Sequence, residues 1–385
     1  MTGSLIYLDH SAATPLDERV RQAMEPYFSE KFFNPSSPYA PAIIVRQEYE
    51  RAKQVIAGAI GAKGDELIMT AGATESINLA FGSVEGHVVT SNIEHHAVLA
   101  AAKGSREYTL VTCDERGMVS AEQVRRAIRP DTQLVSIALA NNELGTIQPL
   151  RDIASVIRTE RQRRLSEGET TPLYIHSDGS QGVGQLDIHV ARLGVDMMTL
   201  NASKIYGPKQ VGLLWAASHV HLIPQIVGGG QENGVRSGTE NVPGVIGFAK
   251  AMELAVTHRK SEAERLRGLR DGMQRELHGR FPWAIVSGHT KHRLPGHLHI
   301  SFPGLDAERL LFALEAQGVM VATGSACAAN KGTRSHVLTA IGLADDVADG
   351  SLRMTLGHLT DVENIDKAIQ IICQVVAREC ERVGI

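Results

Sequence analysis

The chain has 385 residues, 43% of them hydrophobic and 21% charged, and a formal net charge of −4. That length exceeds the needs of one small core, so an ordinary soluble globular protein with one large or two unequal domains is expected. The near-neutral balance gives no electrostatic reason for direct nucleic-acid or membrane binding, and no apolar run reaches the length of a membrane span.

The opening Met1-Thr2-Gly3-Ser4 lacks a charged-then-apolar leader, so a cytoplasmic protein is expected. Helical periodicity over Arg46 to Ala62 leads into the apolar run Glu66 to Thr70. His87 to Ser91 follows a second helical stretch, then come Thr109 to Thr112 and Gln133 to Leu139. The basic cluster Arg158 to Arg164 is broken by Glu160 and precedes a polar Ser-Glu-Gly-Glu-Thr-Thr stretch, which fits a solvated helix end better than a binding patch. Leu173 to Asp178, a short run reaching Asn201, and Val211 to Trp215 complete the series. Strands separated by helices predict an α/β fold, a mostly parallel sheet sandwiched by helices, over residues 15–255. Beyond 256 the pattern changes. A long charged helix over Lys260 to His278, scattered strands such as His299 to Phe302, and a closing helix with Ile365, Ile369, Ile372, Val376 and Cys380 on one face predict a smaller α+β domain. Residues 1–14 are assigned to that domain with 256–385.

In an open parallel sheet, ligands collect beyond the carboxyl ends of the strands. Polar residues fall there strand after strand. Thr70-Ala71-Gly72-Ala73-Thr74 opens a helix whose first N–H groups, aided by the Thr74 hydroxyl, suit a phosphate. His95 follows the second strand, Asn142 the fourth, Asp178 and Gln181 the fifth, and Lys204 the sixth. A lysine and an aspartate at successive strand ends suit pyridoxal phosphate: the amine forms the Schiff base and the carboxylate keeps the pyridinium nitrogen protonated.

These residues, with Tyr7-Leu8-Asp9-His10-Ser11-Ala12-Ala13-Thr14-Pro15, Asn34-Pro35-Ser36-Ser37, Gly72-Ala73-Thr74-Glu75-Ser76, Glu94-His95-His96-Ala97-Val98-Leu99 and Asn141-Asn142-Glu143-Leu144-Gly145, form a pattern. It continues through Ser203-Lys204-Ile205-Tyr206-Gly207-Pro208, Gly228-Gly229-Gly230-Gln231-Glu232, Arg236-Ser237-Gly238-Thr239, Gly324-Ser325-Ala326-Cys327 and Ser351-Leu352-Arg353. The chain resembles, nearly end to end, the group I cysteine desulfurases of the class V, fold type I pyridoxal-phosphate enzymes. The resemblance implies that Ala73 and Thr74 bind the cofactor phosphate, His95 stacks on the ring, Asn142 and Gln181 bond its hydroxyl, Asp178 meets its nitrogen and Lys204 holds it covalently. It implies that Thr239 reaches the phosphate in a neighbouring subunit of a homodimer with shared sites, and that Asn34, Asn142 and Arg353 hold the carboxylate of L-cysteine. Two positions depart from the family. Asn201-Ala202-Ser203 stands where Ser-x-His is usual before the lysine, with Asn201 and Ser203 still able to donate to phosphate, and Tyr39 replaces a histidine after Asn-Pro-Ser-Ser.

Cys327 lies among small and polar residues, which reads as a mobile loop rather than packed core. The four cysteines have neither zinc-ligand nor disulfide-framework spacing; Cys373 and Cys380 suit the closing helix face, and Cys113 follows a strand. The family motif makes Cys327 the persulfide-forming nucleophile, with His95 as acid/base on the substrate sulfur. The sulfur would then pass to an iron–sulfur scaffold or a tRNA-thiolation protein. A selenocysteine lyase, another class V aminotransferase, and a non-catalytic sulfur-relay scaffold remain alternatives. No metal is expected.

Overall fold

The computed structural model describes residues 5–105, 107–324 and 334–385, and in it the expected run of short apolar segments becomes one seven-stranded sheet. The strands in chain order are β1 (Ile6–Tyr7), β2 (Leu67–Thr70), β3 (His87–Ser91), β4 (Tyr108–Val111), β5 (Thr132–Ser136), β6 (Tyr174–Asp178), β7 (Met197–Asn201), β8 (Gly212–Ala216), β9 (Ile285–Ser287), β10 (His297–Ser301), β11 (Val319–Met320) and β12 (Ser351–Thr355). The large sheet runs β2-β8-β7-β6-β5-β3-β4. All neighbours are parallel except β8, which is antiparallel to both β2 and β7. Strands β2, β3 and β8 are buried along their whole length, which is why they read as largely apolar runs rather than as an alternation. The strand expected over Gln133 to Leu139 ends at Ser136. Ile137 and Leu139 still donate to the carbonyls of His176 and Asp178 before the chain turns at Asn141.

Two principal apolar cores flank the site. One packs one face of the large sheet against helices, and includes Ile56, Ile60, Val135, Ile175, Leu200 and Phe248, while a smaller cluster with Ile68, Ile77, Val88, Leu134 and Leu214 covers the opposite face. The other gathers Leu298, Ile300, Phe302, Leu310, Leu352 and Ile372 around the three-stranded antiparallel sheet β12-β10-β9. Ile6 and Leu8 belong to the second core, because β1 pairs with β11. Val242–Arg280 is a single helix of 39 residues. Val242, Val245, Phe248 and Met252 bury it in the first core, and Leu266, Met273 and Leu277 in the second. The change of character at residue 255 therefore falls within one continuous helix. In the closing helix Val362–Val383, Ile365, Ile372 and Val376 are buried and Ile369, Cys373 and Cys380 pack partly against the same core.

The small sheet turns a polar face inward. Period-two alternation puts Leu298 and Ile300 into the second core and His297, His299 and Ser301 on the other side, opposite Thr355, Arg353 and Ser351. All six are buried.

Candidate active site

The strand ends converge as the topology requires. A cavity of about 250 Å³ is lined by Ala73, Thr74, His95, Asn142, Asp178, Gln181, Asn201, Lys204 and Arg353. Nine residues proposed from strand-end position and resemblance thus meet in one place. Ser203 lines an adjoining pocket that shares Ala73, Thr74 and Asn201 with the first. Asn34 lies on an exposed turn, its Oδ1 accepting from the Ser36 N–H at 2.9 Å, and does not line the cavity. Thr239 is exposed and lines neither pocket of its own chain. Tyr39, half exposed, precedes the helix Ala40–Ile60. Cys327 lies outside the described residues.

The anion end begins at the helix Ala73–Gly82. The first amides of a helix have no intrahelical acceptor and carry the positive end of its dipole. Gly72, with φ 146°, makes the turn from β2, and a Cβ on Gly212 would stand 2.7 Å from the Gly72 Cα, so the start of β8 packs directly beneath it. Asn201 and Ser203 form a local unit. The Asn201 Oδ1 accepts from both the Ser203 N–H (3.1 Å) and the Ser203 Oγ (3.0 Å). A backbone N–H can only donate, so Oδ1 must face the turn and the Asn201 Nδ2 is left as the donor to its surroundings.

The middle of the cavity is tied together by the segment from Asp9 to Thr14. The Lys204 Nζ donates to the carbonyls of Ser11 (2.9 Å) and Ala12 (2.6 Å). The Gln181 Nε2 also donates to the Ser11 carbonyl, and the Ser11 Oγ donates to that of Asn142. Thr14 brackets the lysine turn: its Oγ1 donates to the Ser203 carbonyl and accepts from the Tyr206 N–H. Asp178 accepts from the Ser180 N–H at 2.9 Å.

Arg353 stands at the far wall, 2% exposed. Its Nη2 donates to the Asp9 carboxylate at 2.7 Å and its Nη1 to the Asn142 carbonyl at 3.4 Å. Its Nε has no partner among the described residues. An unsatisfied buried guanidinium N–H costs on the order of 1–3 kcal/mol.

His95 caps the helix His96–Gly104 at the solvent-facing mouth, its Nδ1 accepting from the Ala97 N–H at 3.1 Å. Its pKa is held below the ordinary histidine value by burial of the imidazole among its neighbours and by the Lys204 charge, against the opposing pull of Asp178. Behind the rim, Glu94 is fully enclosed, accepting from the Ser91 Oγ and the Ala138 N–H, and burial pushes its pKa up to about 7. Glu143 is likewise raised by burial and accepts from the Ser335 Oγ.

Several lining residues had no role in the sequence reading: Ser11, His96, Glu143 and His336. Ser11, His96 and Glu143 stood inside motifs as neighbours of assigned residues. His336 carried no signal, since only the tertiary structure brings it across from the chain's last quarter. Among the described residues no group of His, Cys, Asp and Glu has the arrangement of a metal site.

Comparison with known proteins agrees with this geometry. Residues 6–368 match the family described as Aminotransferase class-V. The Cysteine desulfurase IscS of Dictyoglomus turgidum is 40% identical over 384 residues, 97% of this chain and 95% of that protein. A solved structure titled NifS-like protein superposes with a TM-score of 0.89 at 32% identity, covering 97% of this chain and all of the other. Another, titled SspA in complex with cysteine, gives a TM-score of 0.77 at 33% identity over 91% of this chain and 98% of the other. The chain belongs to the class-V aminotransferase family, among its cysteine desulfurases.

Proposed function

We propose that this chain converts L-cysteine to L-alanine with pyridoxal phosphate held at Lys204, and passes the sulfur to Cys327 as a persulfide. The observation that carries the reading is the convergence in one cavity of Lys204, Asp178, His95 and Arg353, with the Arg353 Nε left unpartnered. The donor set fits the cofactor: an amine, a carboxylate, a flanking imidazole and a helix N-terminus with Thr74 beside it. Lys204 would hold the aldehyde carbon, Asp178 the ring nitrogen, and His95 the ring face. Asn142 and Gln181 would meet the ring hydroxyl. Ala73, Thr74, Asn201 and Ser203 would hold the phosphate, joined by Thr239 from a second copy of the chain in a homodimer. When bound, this group supplies an electron sink for negative charge at the substrate's α-carbon.

The protein's own residues supply the rest. Arg353 takes the substrate carboxylate, with Asn142 alongside, and Asn34, which stands outside the cavity, would have to move to join them. The Lys204 amine, once exchanged for the substrate amine, removes the α-proton. His95 acts as acid/base beside the substrate sulfur, and its lowered pKa keeps it neutral at pH 7. The Cys327 thiolate attacks that sulfur: an S–S bond forms, the substrate C–S bond breaks, and its electron pair remains on carbon until a proton completes alanine. The remaining cysteines are poorly suited to this role. Burial pushes the Cys113 thiol up to about 11 and raises those of Cys373 and Cys380; thiolate, not thiol, is the nucleophile.

Persulfide sulfur then goes to an acceptor protein, an iron–sulfur scaffold or a tRNA-thiolation protein, in the cytoplasm. Cys113, Cys373 and Cys380 are free, in keeping with a reducing compartment. Two domains, residues 15–255 and residues 1–14 with 256–385, would frame the site.

The test compares alanine and sulfide production from L-cysteine, with added thiol, in wild type and Cys327→Ala. Matched products from wild type and almost none from the variant are expected. Equal production by both would remove Cys327 from the reaction.

A further inference from the structure

Lys204 borders a second cavity, of about 240 Å³, that lies along the helix Val242–Arg280. Ala251, Leu254, Ala255, His258, Glu262 and Leu266 line it at intervals of three and four residues, so one face of that helix forms its wall. The helix passes there from the first core, which holds Met252, to the second, which holds Leu266. Ser11, Ser180, Gln181 and Lys204 line both this cavity and the reaction cavity, so a single layer of side chains divides the two.

The wall is mainly apolar, with Val183, Ile205 and Leu356 beside the helix face, but two of its buried residues hold unmatched polar atoms. The His10 Nδ1 lies 2.9 Å from the Thr355 carbonyl oxygen, which can only accept. In neutral His10 the proton is therefore on Nδ1 and the lone pair on Nε2. Burial holds His10 below the ordinary histidine value, against its bond to that carbonyl, and so keeps it neutral at pH 7. Neither its Nε2 nor the Ser180 Oγ has a hydrogen-bond partner among the described residues. A Cβ on Gly357 would collide with both the His10 ring and the Tyr206 hydroxyl, so these two polar groups converge over that glycine. The charged lining residues are already matched: Arg19 with Asp17 at 2.7 Å, and Glu262 with Arg265 at 2.7 Å. An ionic ligand would lose its hydration to groups that are already engaged, whereas a neutral one would not.

We propose that this cavity is a binding site for a small neutral aromatic molecule carrying one O–H or N–H donor. Its ring lies against the helix face and its donor meets the His10 Nε2. An apolar cavity of about 150 Å³ takes up benzene, so there is room here for a phenol or an indole. Such a ligand touches Lys204 and Gln181 from the side away from the reaction cavity, and therefore acts on the reaction without competing for the substrate's place.

Calorimetric titration of the pyridoxal-phosphate-loaded protein with phenol and with toluene tests this, because the two probes differ in little but the donor. Phenol should bind about tenfold more tightly than toluene, and His10→Phe, which keeps a ring but no lone pair, should abolish that preference. Ala255→Phe, which puts a ring into the cavity, should weaken phenol binding by about tenfold or more. In steady-state kinetics, the one arm that rests on the desulfurase reading, phenol should lower kcat about threefold and leave KM for L-cysteine within about twofold. Equal binding of the two probes by wild type, undiminished phenol binding by Ala255→Phe, or inhibition relieved by excess L-cysteine would overturn the proposal. The first of these outcomes depends on no variant folding. If wild type forms no alanine while phenol binding follows the expected pattern, the desulfurase reading fails and the site stands.

Discussion

Two polar regions meet at Arg353, and they treat their polar atoms in opposite ways. At the rim of the large sheet, side chains are partnered but reachable: Lys204 and Gln181 on the Ser11 carbonyl, Asp178 on Ser180, His95 on Ala97. On the inward face of the small sheet they are sealed and unpartnered. Ser287 Oγ, both nitrogens of His297 and of His299, and Ser301 Oγ lack a hydrogen-bond partner among the described residues. Burial and the nearby Arg353 charge hold both histidines down at about 3. The rim keeps charges that chemistry can use, while the sheet face behind Arg353 is kept neutral. Arg353 is then a buried cation against the neutral face, with Asp9 as its ion-pair partner among the described residues. In the proposed reading, the substrate carboxylate would meet an arginine set between these two regions.

Removing Arg353 breaks the comparison most severely. Arg353→Ala should lower kcat/KM for L-cysteine by about 1000-fold, roughly 4 kcal/mol, mostly through KM, while cofactor absorbance persists. Steady-state kinetics decides it, and an unchanged KM would take Arg353 out of substrate binding.

Glu94 tests the rim. Its folded pKa, about 7, lies above the ordinary glutamate value of about 4.5, so the folded state binds the proton more tightly. Stability from this group is full below about pH 4.5 and is lost as pH rises to about 7, on the order of 3 kcal/mol in all. Glu94→Gln should remove that dependence and leave the protein relatively more stable at pH 8, as urea unfolding at pH 5 and pH 8 would reveal. A variant with wild-type pH dependence would mean that Glu94 is not the group responsible.

The sealed face predicts the opposite sign. His299 has a folded value of about 3 against 6.5 unfolded, so the unfolded chain takes up the proton first. Its contribution is full above about pH 6.5 and is lost as pH falls towards 3. At pH 5 the loss is about 2 kcal/mol. His299→Leu should recover that amount at pH 5 relative to pH 7.5, measured by the same unfolding midpoints. Acid sensitivity identical to wild type would show that the imidazole is not held neutral by the fold.

The strand ends were legible in the chain because a parallel strand buried on both faces is an unbroken apolar run, and the next polar residue marks its end. Asp178 and Lys204 could be placed this way without knowing which strands are neighbours. The helix over Val242–Arg280 was only half legible. Its first part is apolar enough to disappear into the large core, and only the charged stretch after 260 showed helical patterning. Asn34 and Thr239 were assigned by resemblance, and within this chain neither lines the cavity. His336 and the Asp9–Arg353 pair were not legible at all. Their significance depends on contacts across more than 200 residues of sequence, and no periodicity encodes those.

The sequence by itself determined the order of the strands along the chain, the residue at the end of each, the chemical types available for the reaction, and the family. Local apolar periodicity and short motifs suffice for these, because each is a property of adjacent residues. Only the tertiary structure decided which strand ends are neighbours, which atom of Arg353 remains unpartnered, how Asn201 and Ser203 share a hydrogen bond, and which nitrogen of His95 accepts from the backbone. Those outcomes follow from backbone donors and acceptors that folding brings within 3 Å, and a one-dimensional pattern contains no such distances.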